Sequence, residues 1–159
     1  MSPDPTLLTG LGAAFALFLA GGGAAYATAH ASIFAIRHQD KMALVPVVQA
    51  GVLAVYGIIV GYKLSMKAIA DKALSEIEGY NFLSAGLSVG LACLVSGVGM
   101  GLYLKQLNTE GYYFVRKGKP APEGGASKKM SFVTFVLCEI YLEAIGLYGL
   151  IVALFLIGW

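Results

Sequence analysis

The chain has 159 residues, 58% of them apolar, with mean hydropathy +0.76 and only 11 Lys and Arg against 9 Asp and Glu. Soluble domains carry about 25% charged residues, and 13% cannot cover a water-facing surface, so this is a membrane protein. The longest polar stretch, Lys105 to Lys129, is too short to fold alone, which excludes soluble catalytic folds and nucleic-acid modules, and the small net charge of +2 points to no charged partner.

Four apolar runs follow in chain order: Leu7 to Ile36, Met42 to Tyr62, Tyr80 to Leu104 and Met130 to Trp159. Each exceeds the roughly 20 residues that cross about 30 Å of hydrocarbon as a helix. The first lacks a basic n-region and is about twice the length of a secretory h-region, so it reads as a retained helix rather than a cleaved signal. Arg37 and Lys41 flank the first connection; Lys105, Arg116, Lys117, Lys119, Lys128 and Lys129 lie in the third; the second has Lys63, Lys67 and Lys72 offset by Asp71, Glu76 and Glu78. Eight against three places connections one and three in the cytoplasm and both termini on the luminal side. The third connection, 105–129, with Pro120, Pro122 and Gly124-Gly125, reads as a flexible cytoplasmic loop.

An internal repeat divides the chain. Ala54-Val55-Tyr56-Gly57-Ile58-Ile59-Val60-Gly61 matches Gly146-Leu147-Tyr148-Gly149-Leu150-Ile151-Val152-Ala153 at a constant offset of 92. Residues 1–79 and 80–159 are accordingly two copies of a helical hairpin. Small residues recur every three or four positions in the first run (Gly12, Ala16, Ala20, Gly23, Ala27, Ala31) and in the third (Gly86, Gly90, Cys93, Gly97, Gly101). Such stripes let helix backbones approach closely. Helices one and three suit a thin inner wall and helices two and four, rich in Leu, Ile, Val, Phe and Tyr, an outer layer facing lipid. The expected fold is all-α, four transmembrane helices from a duplicated hairpin, assembling into a ring. Cys93 and Cys138 act as small apolar residues within it.

Two acids lie inside the spans, Glu139 and Glu143, one helical turn apart. An acid at mid-membrane costs roughly 2.5 to 3.5 kcal/mol on insertion scales, so it needs a reason to be there. A carboxyl neutral against lipid and ionised opposite a cation or water channel is a proton carrier. Glu143 lies near the midpoint of the fourth run and is the principal candidate. Glu139 is accessory or structural, snorkelling towards water or accepting a bond from Ser96 of helix three or from Tyr141 or Tyr148 of a neighbouring helix. The repeat places Gly51 opposite Glu143, leaving one principal acid per four helices, with Gln49 the nearest polar group on helix two. His30 and His38 are eight residues apart and lack ligand spacing with the cysteines, and there is no P-loop, so neither a metal, a cofactor nor a nucleotide site is expected.

Gly23-Ala24-Ala25-Tyr26-Ala27-Thr28-Ala29, Pro46-Val47-Val48-Gln49-Ala50-Gly51, Val55-Tyr56-Gly57, Gly86-Leu87-Ser88-Val89-Gly90-Leu91 and the whole segment from Glu143 to Leu154 resemble the proteolipid subunits that form the membrane rotor ring of V-type proton ATPases. The resemblance covers all four spans. It implies that Glu143 carries the proton, with Glu139, Tyr148, Gln49 and Tyr56 around it, and that Gly23, Ala27, Gly86, Gly90, Gly97 and Gly101 pack the ring. It further implies as partners other proteolipid copies or isoforms, a static membrane subunit bearing an arginine, central-stalk subunits and the bilayer, in a vacuolar or other endomembrane. Gly51 suits the c or c-prime type. Val52, Leu53 and Met100, where sodium-pumping relatives place Thr and Gln, favour protons. Three features depart from the family: a first connection about six residues shorter, a third about a dozen longer, and Glu139 in place of an apolar residue. The other classes compatible with four short spans are a small membrane enzyme, which needs basic residues inside its helices, and a proton-coupled antiporter, which does not call for glycine stripes on alternate helices.

Overall fold

The computed structural model describes residues 4–38, 41–70, 74–114 and 128–158. Four helices dominate: α1 (Pro5–His38), α2 (Val45–Ala70, entered through a 3₁₀ turn at Lys41–Leu44), α3 (Glu76–Glu110) and α4 (Phe132–Ile157). Each is long and apolar enough to cross a membrane. The chain is an all-α integral membrane protein apart from two three-residue strands, β1 (Tyr112–Phe114) and β2 (Lys128–Met130).

The apolar runs mark the part of each helix suited to lipid, and local chemistry sets the ends elsewhere. α3 starts at Glu76 rather than near 80, because Ser75 and Glu78 form a capping box, the Ser75 side chain accepting from the Glu78 N–H while the Glu78 carboxylate takes the Ser75 N–H. It runs on to Glu110 rather than 104, where Gly111 adopts the left-handed conformation (φ 68°) and its N–H caps Leu107 O. α4 is shorter than its apolar run: Met130 belongs to β2, Ser131 is the N-cap and Gly158 closes the helix at φ 82°. The expectation of a loop over 105–129 is therefore corrected at both ends, residues 105–110 being helix and 112–114 and 128–129 strand. Pro120, Pro122 and the basic residues Arg116, Lys117 and Lys119 lie outside the described residues, as do Asp71 and Lys72.

α1 and α3 form the centre. A Cβ on Gly86 would collide with the backbone of Gly12, and one on Gly97 with the backbone of Gly23. Both pairs are 74 residues apart, so the two helices run parallel with their small-residue stripes in register. Gly90 sits against Phe15 O, where a Cβ would stand at 2.7 Å, and Gly101 accommodates the Tyr26 ring. Ala16, Ala20, Ala27 and Ala31 of the same stripe are completely buried. α2 lies on α1 through Gly57, whose Cβ would meet Ala16 O at 2.5 Å, and α4 lies on α3 through the repeat-equivalent Gly149, which abuts Ala92 and Ser88. Within one chain, α1 and α3 thus pack on each other, with α2 lying on α1 and α4 on α3. The faces turned away from this centre are apolar and exposed, including Leu11, Phe15 and Phe18 on α1, Leu91, Val95 and Leu102 on α3, and Ile58, Tyr141 and Phe155 on α2 and α4.

A second core closes the end of the bundle where α1 and α3 finish. Phe34 stacks on Phe135 at 5.4 Å between ring centroids, and Phe114 meets Phe34, Phe132 and Phe135 edge-on. His38 lies over Phe34, with Nδ1 2.8 Å from Phe34 O and Nε2 2.8 Å from Tyr112 O, while the Arg37 guanidinium donates to Asn108 O at 2.6 Å. Lys128 pairs with Glu110 at 2.6 Å, which raises the lysine's proton affinity. The lysine is half exposed and the glutamate about a third, so solvent screening leaves the pair little to contribute to stability.

Candidate functional site

Glu143 sits near the middle of α4, half-buried at the seam with α2. The Tyr56 hydroxyl of α2 donates to Glu143 Oε1 at 3.2 Å. That is longer than the 2.5–3.0 Å usual for O–H···O bonds, so the latch is loose and released at small cost. The surroundings explain why two helices meet here. Gly146, one turn after Leu142, lets Leu53 approach: a Cβ there would be 2.7 Å from Leu53 Cδ2 and 3.4 Å from Cys93 Sγ. Ser96 of α3 donates to Leu142 O at 2.6 Å, stitching α3 to α4 beside the acid. Among the described residues the carboxyl thus has one polar partner, beside an apolar wall and an open side.

The other expected site residues divide. Tyr56 is at the site. Gln49 precedes it by seven residues, two helical turns, and so stands on the same side of α2, with a buried Oε1 that has no partner among the described residues. Tyr148 is 64% exposed and, five residues on from Glu143, lies some 140° round the helix; it does not join the site. Gly51, the repeat counterpart of Glu143, is exposed, with nothing within 4 Å of where a Cβ would be. The first hairpin leaves open surface where the second carries its acid.

Glu139 corrects an expectation. Within the chain it neither reaches water nor accepts from Ser96: it is 0% exposed, and both carboxyl oxygens lack a partner among the described residues. Ser96 is committed to Leu142 O, and Tyr141 faces outward, 73% exposed. Four residues advance a helix by about 400°, so Glu139 and Glu143 differ by some 40° around α4. That rotation puts one carboxyl inside the bundle and the other at its edge. An ionised, unpartnered carboxylate in such a place costs several kcal/mol, while the neutral acid forfeits only its hydrogen bonds, about 1–3 kcal/mol. The neutral form is therefore the one that the interior tolerates.

No protein-family model matches the chain. Among curated proteins it is 32% identical to "V-type proton ATPase 16 kDa proteolipid subunit c" of Nephrops norvegicus, over 92% of this chain and 87% of that protein. It is 34% identical to the human protein of the same description, over 92% and 88%, and 36% identical to "V-type proton ATPase subunit c'" of Eremothecium gossypii, over 91% and 84%. Identity sustained across all four helices, in a chain with glycine-packed inner helices and a half-buried acid on the last, makes this protein a member of the V-type proton ATPase proteolipid subunit family.

Proposed function

We propose that the chain is a proton-carrying rotor-ring subunit of a V-type ATPase, with Glu143 as the carrier. The observation that carries this reading is the position of Glu143: mid-helix, at the outer seam of α2 and α4, held by one long bond from Tyr56. Latched and neutral, the acid travels through lipid without the roughly 2.5–3.5 kcal/mol or more that a charge costs there. Opposite the arginine of a static membrane subunit the carboxylate becomes the favoured form, the proton leaves towards the lumen, and a cytoplasmic half-channel reloads the site. ATP hydrolysed elsewhere in the complex drives the rotation, each charge moved against 100 mV costing about 2.3 kcal/mol. The exposed apolar faces of α1 and α3 would be covered by neighbouring proteolipid copies and those of α2 and α4 by lipid, with the central stalk at the cytoplasmic end. Gly51 leaves one carrier per four helices, so each turn concentrates its work on fewer protons, which suits a steep gradient across an endomembrane such as the vacuole's.

A hydrophobic carbodiimide, which attacks a protonated acid in lipid, should label the intact complex at Glu143 and stop proton uptake in proportion to labelling. Peptide mapping that finds inhibition with the adduct elsewhere in the chain would remove Glu143 from the carrier role.

The orientation rests on the Lys and Arg asymmetry. Cysteines introduced at Gly118 and Glu78 in sealed vesicles should react from opposite sides, Gly118 from the cytoplasmic one. Reaction of both from one side would overturn the proposed topology.

A further inference from the structure

Among the described residues three polar side chains are fully buried: Thr9, Ser96 and Glu139. The Thr9 hydroxyl donates to Pro5 O and the Ser96 hydroxyl to Leu142 O, each serving a helix. Glu139 serves nothing: it makes no cap, ion pair or hydrogen bond among the described residues. A leucine would fill the same space at lower cost, so packing does not account for an acid there. What Glu139 has is a dry site and an ionisable neighbour one turn away, since Glu143 is four residues and about 6 Å of helix rise further on. Gln49, with its own orphaned buried oxygen, stands two turns before Tyr56 on the side of α2 that faces this seam. The titratable groups near Glu139 are Glu143 and Cys138 of α4 and Tyr103 of α3; Gln49 and Tyr56 line the α2 side of the seam.

We propose that Glu139 is an internal proton-loading site that resupplies Glu143 from within the protomer. The inference rests on Glu143 being the carrier. The Glu139 O–H bond breaks and its proton passes to the Glu143 carboxylate, directly or through one water in the seam. An O–H bond forms on Glu143, which Tyr56 then latches. Glu139 is left as a carboxylate, and a proton taken up from the loading side restores it. No other reactant is needed, and the pair holds at most one negative charge throughout, because two charges one turn apart in so poorly screened a place exclude one another. Glu139 lies inside the bundle and Glu143 at its edge, so the loading acid never meets lipid or the static subunit and the carrier always does.

The test uses the assembled complex with Glu139→Gln, Glu139→Asp and Glu139→Leu subunits. Glutamine keeps the shape and the neutral polarity but has no proton to give. The expected result is normal assembly and normal carbodiimide reaction at Glu143. ATP-driven proton uptake should be slower by about tenfold, and the deficit should widen as the loading-side pH is raised and direct reloading from water becomes scarcer. Aspartate should recover part of the rate. Infrared spectra of the wild-type complex at neutral pH should show a protonated-carboxyl band that survives carbodiimide capping of Glu143 and disappears in Glu139→Gln. Uptake in Glu139→Gln or Glu139→Leu equal to wild type across the pH range would overturn the loading role, and so would absence of that band even where a variant fails to assemble. If Glu143→Gln also pumps normally, the carrier assignment itself has failed; if Glu143→Gln is inactive while Glu139→Gln is unimpaired, only the loading site has.

Discussion

Glu143→Gln should reduce ATP-driven proton uptake to background, at least 100-fold below wild type, while leaving the assembled ring intact. The two halves of that expectation have different physical sources. Glutamine retains an oxygen that accepts from Tyr56 in place of Glu143 Oε1, where the bond is 3.2 Å. It also removes only a carboxyl that sits half-buried at an edge, so packing against Leu53 and Gly146 is undisturbed. What it removes is the ability to bind and release a proton, and a rotor whose carrier cannot ionise has nothing to exchange opposite an arginine. Proton uptake and ring recovery measured on one preparation separate the two. Residual uptake above a few per cent with normal assembly would mean that another group carries the proton.

Gly97→Leu is expected to eliminate assembled complex altogether, with Gly86→Leu behaving the same way. Inserting methylenes into a packed core costs typically 1–3 kcal/mol where side chains move aside. Here a Cβ on either glycine meets the backbone of Gly23 or Gly12, and backbone cannot change rotamer. Relief requires parting α1 from α3 along the whole seam that brings Gly12 to Gly86 and Gly23 to Gly97, so the cost exceeds that range. Phe155→Leu, at a position 74% exposed on α4, should assemble as wild type. Native gels of detergent-extracted membranes give the readout, and intact rings from Gly97→Leu would show that the stripe is not a close-packed face.

The four spans were legible because lipid forces every backbone polar group into a helix and every outward side chain to be apolar. Their ends were not, since a capping box at Ser75 and Glu78 and a left-handed glycine at 111 act on local hydrogen bonds and ignore hydropathy. The stripe on α1 and α3 was visible because small-residue spacing is a periodic property of one helix. Its pairing, Gly12 with Gly86 and Gly23 with Gly97, depends on how two helices slide against each other and has no trace in either alone. Glu143 stood out as a charge in an apolar run. Its bond from Tyr56 spans 87 residues, a distance over which spacing carries no information, and Tyr56 was anticipated only through family resemblance. Glu139 was misplaced because an acid one turn nearer a helix end is ordinarily drawn to water, whereas a 40° rotation turned it inward. His38 was passed over as a ligand lacking spacing; its stacking on Phe34 and its approach to Tyr112 O depend on a strand too short to give a periodic signal.

That short strand constrains how the length of the chain can vary. β1 and β2 pair in parallel, Tyr112 with Lys128, Tyr113 with Lys129 and Phe114 with Met130. A parallel pair must be joined by a crossover of a dozen or more residues, because the chain has to return to the end from which it set out. Lengthening a connection is cheap, since doubling a loop adds only about 0.6 kcal/mol of closure entropy, whereas a deletion within either strand removes one of three ladder pairs and loosens the aromatic cluster around Phe114. Length variation among natural versions of this protein should therefore fall between the strands and spare the three paired positions themselves.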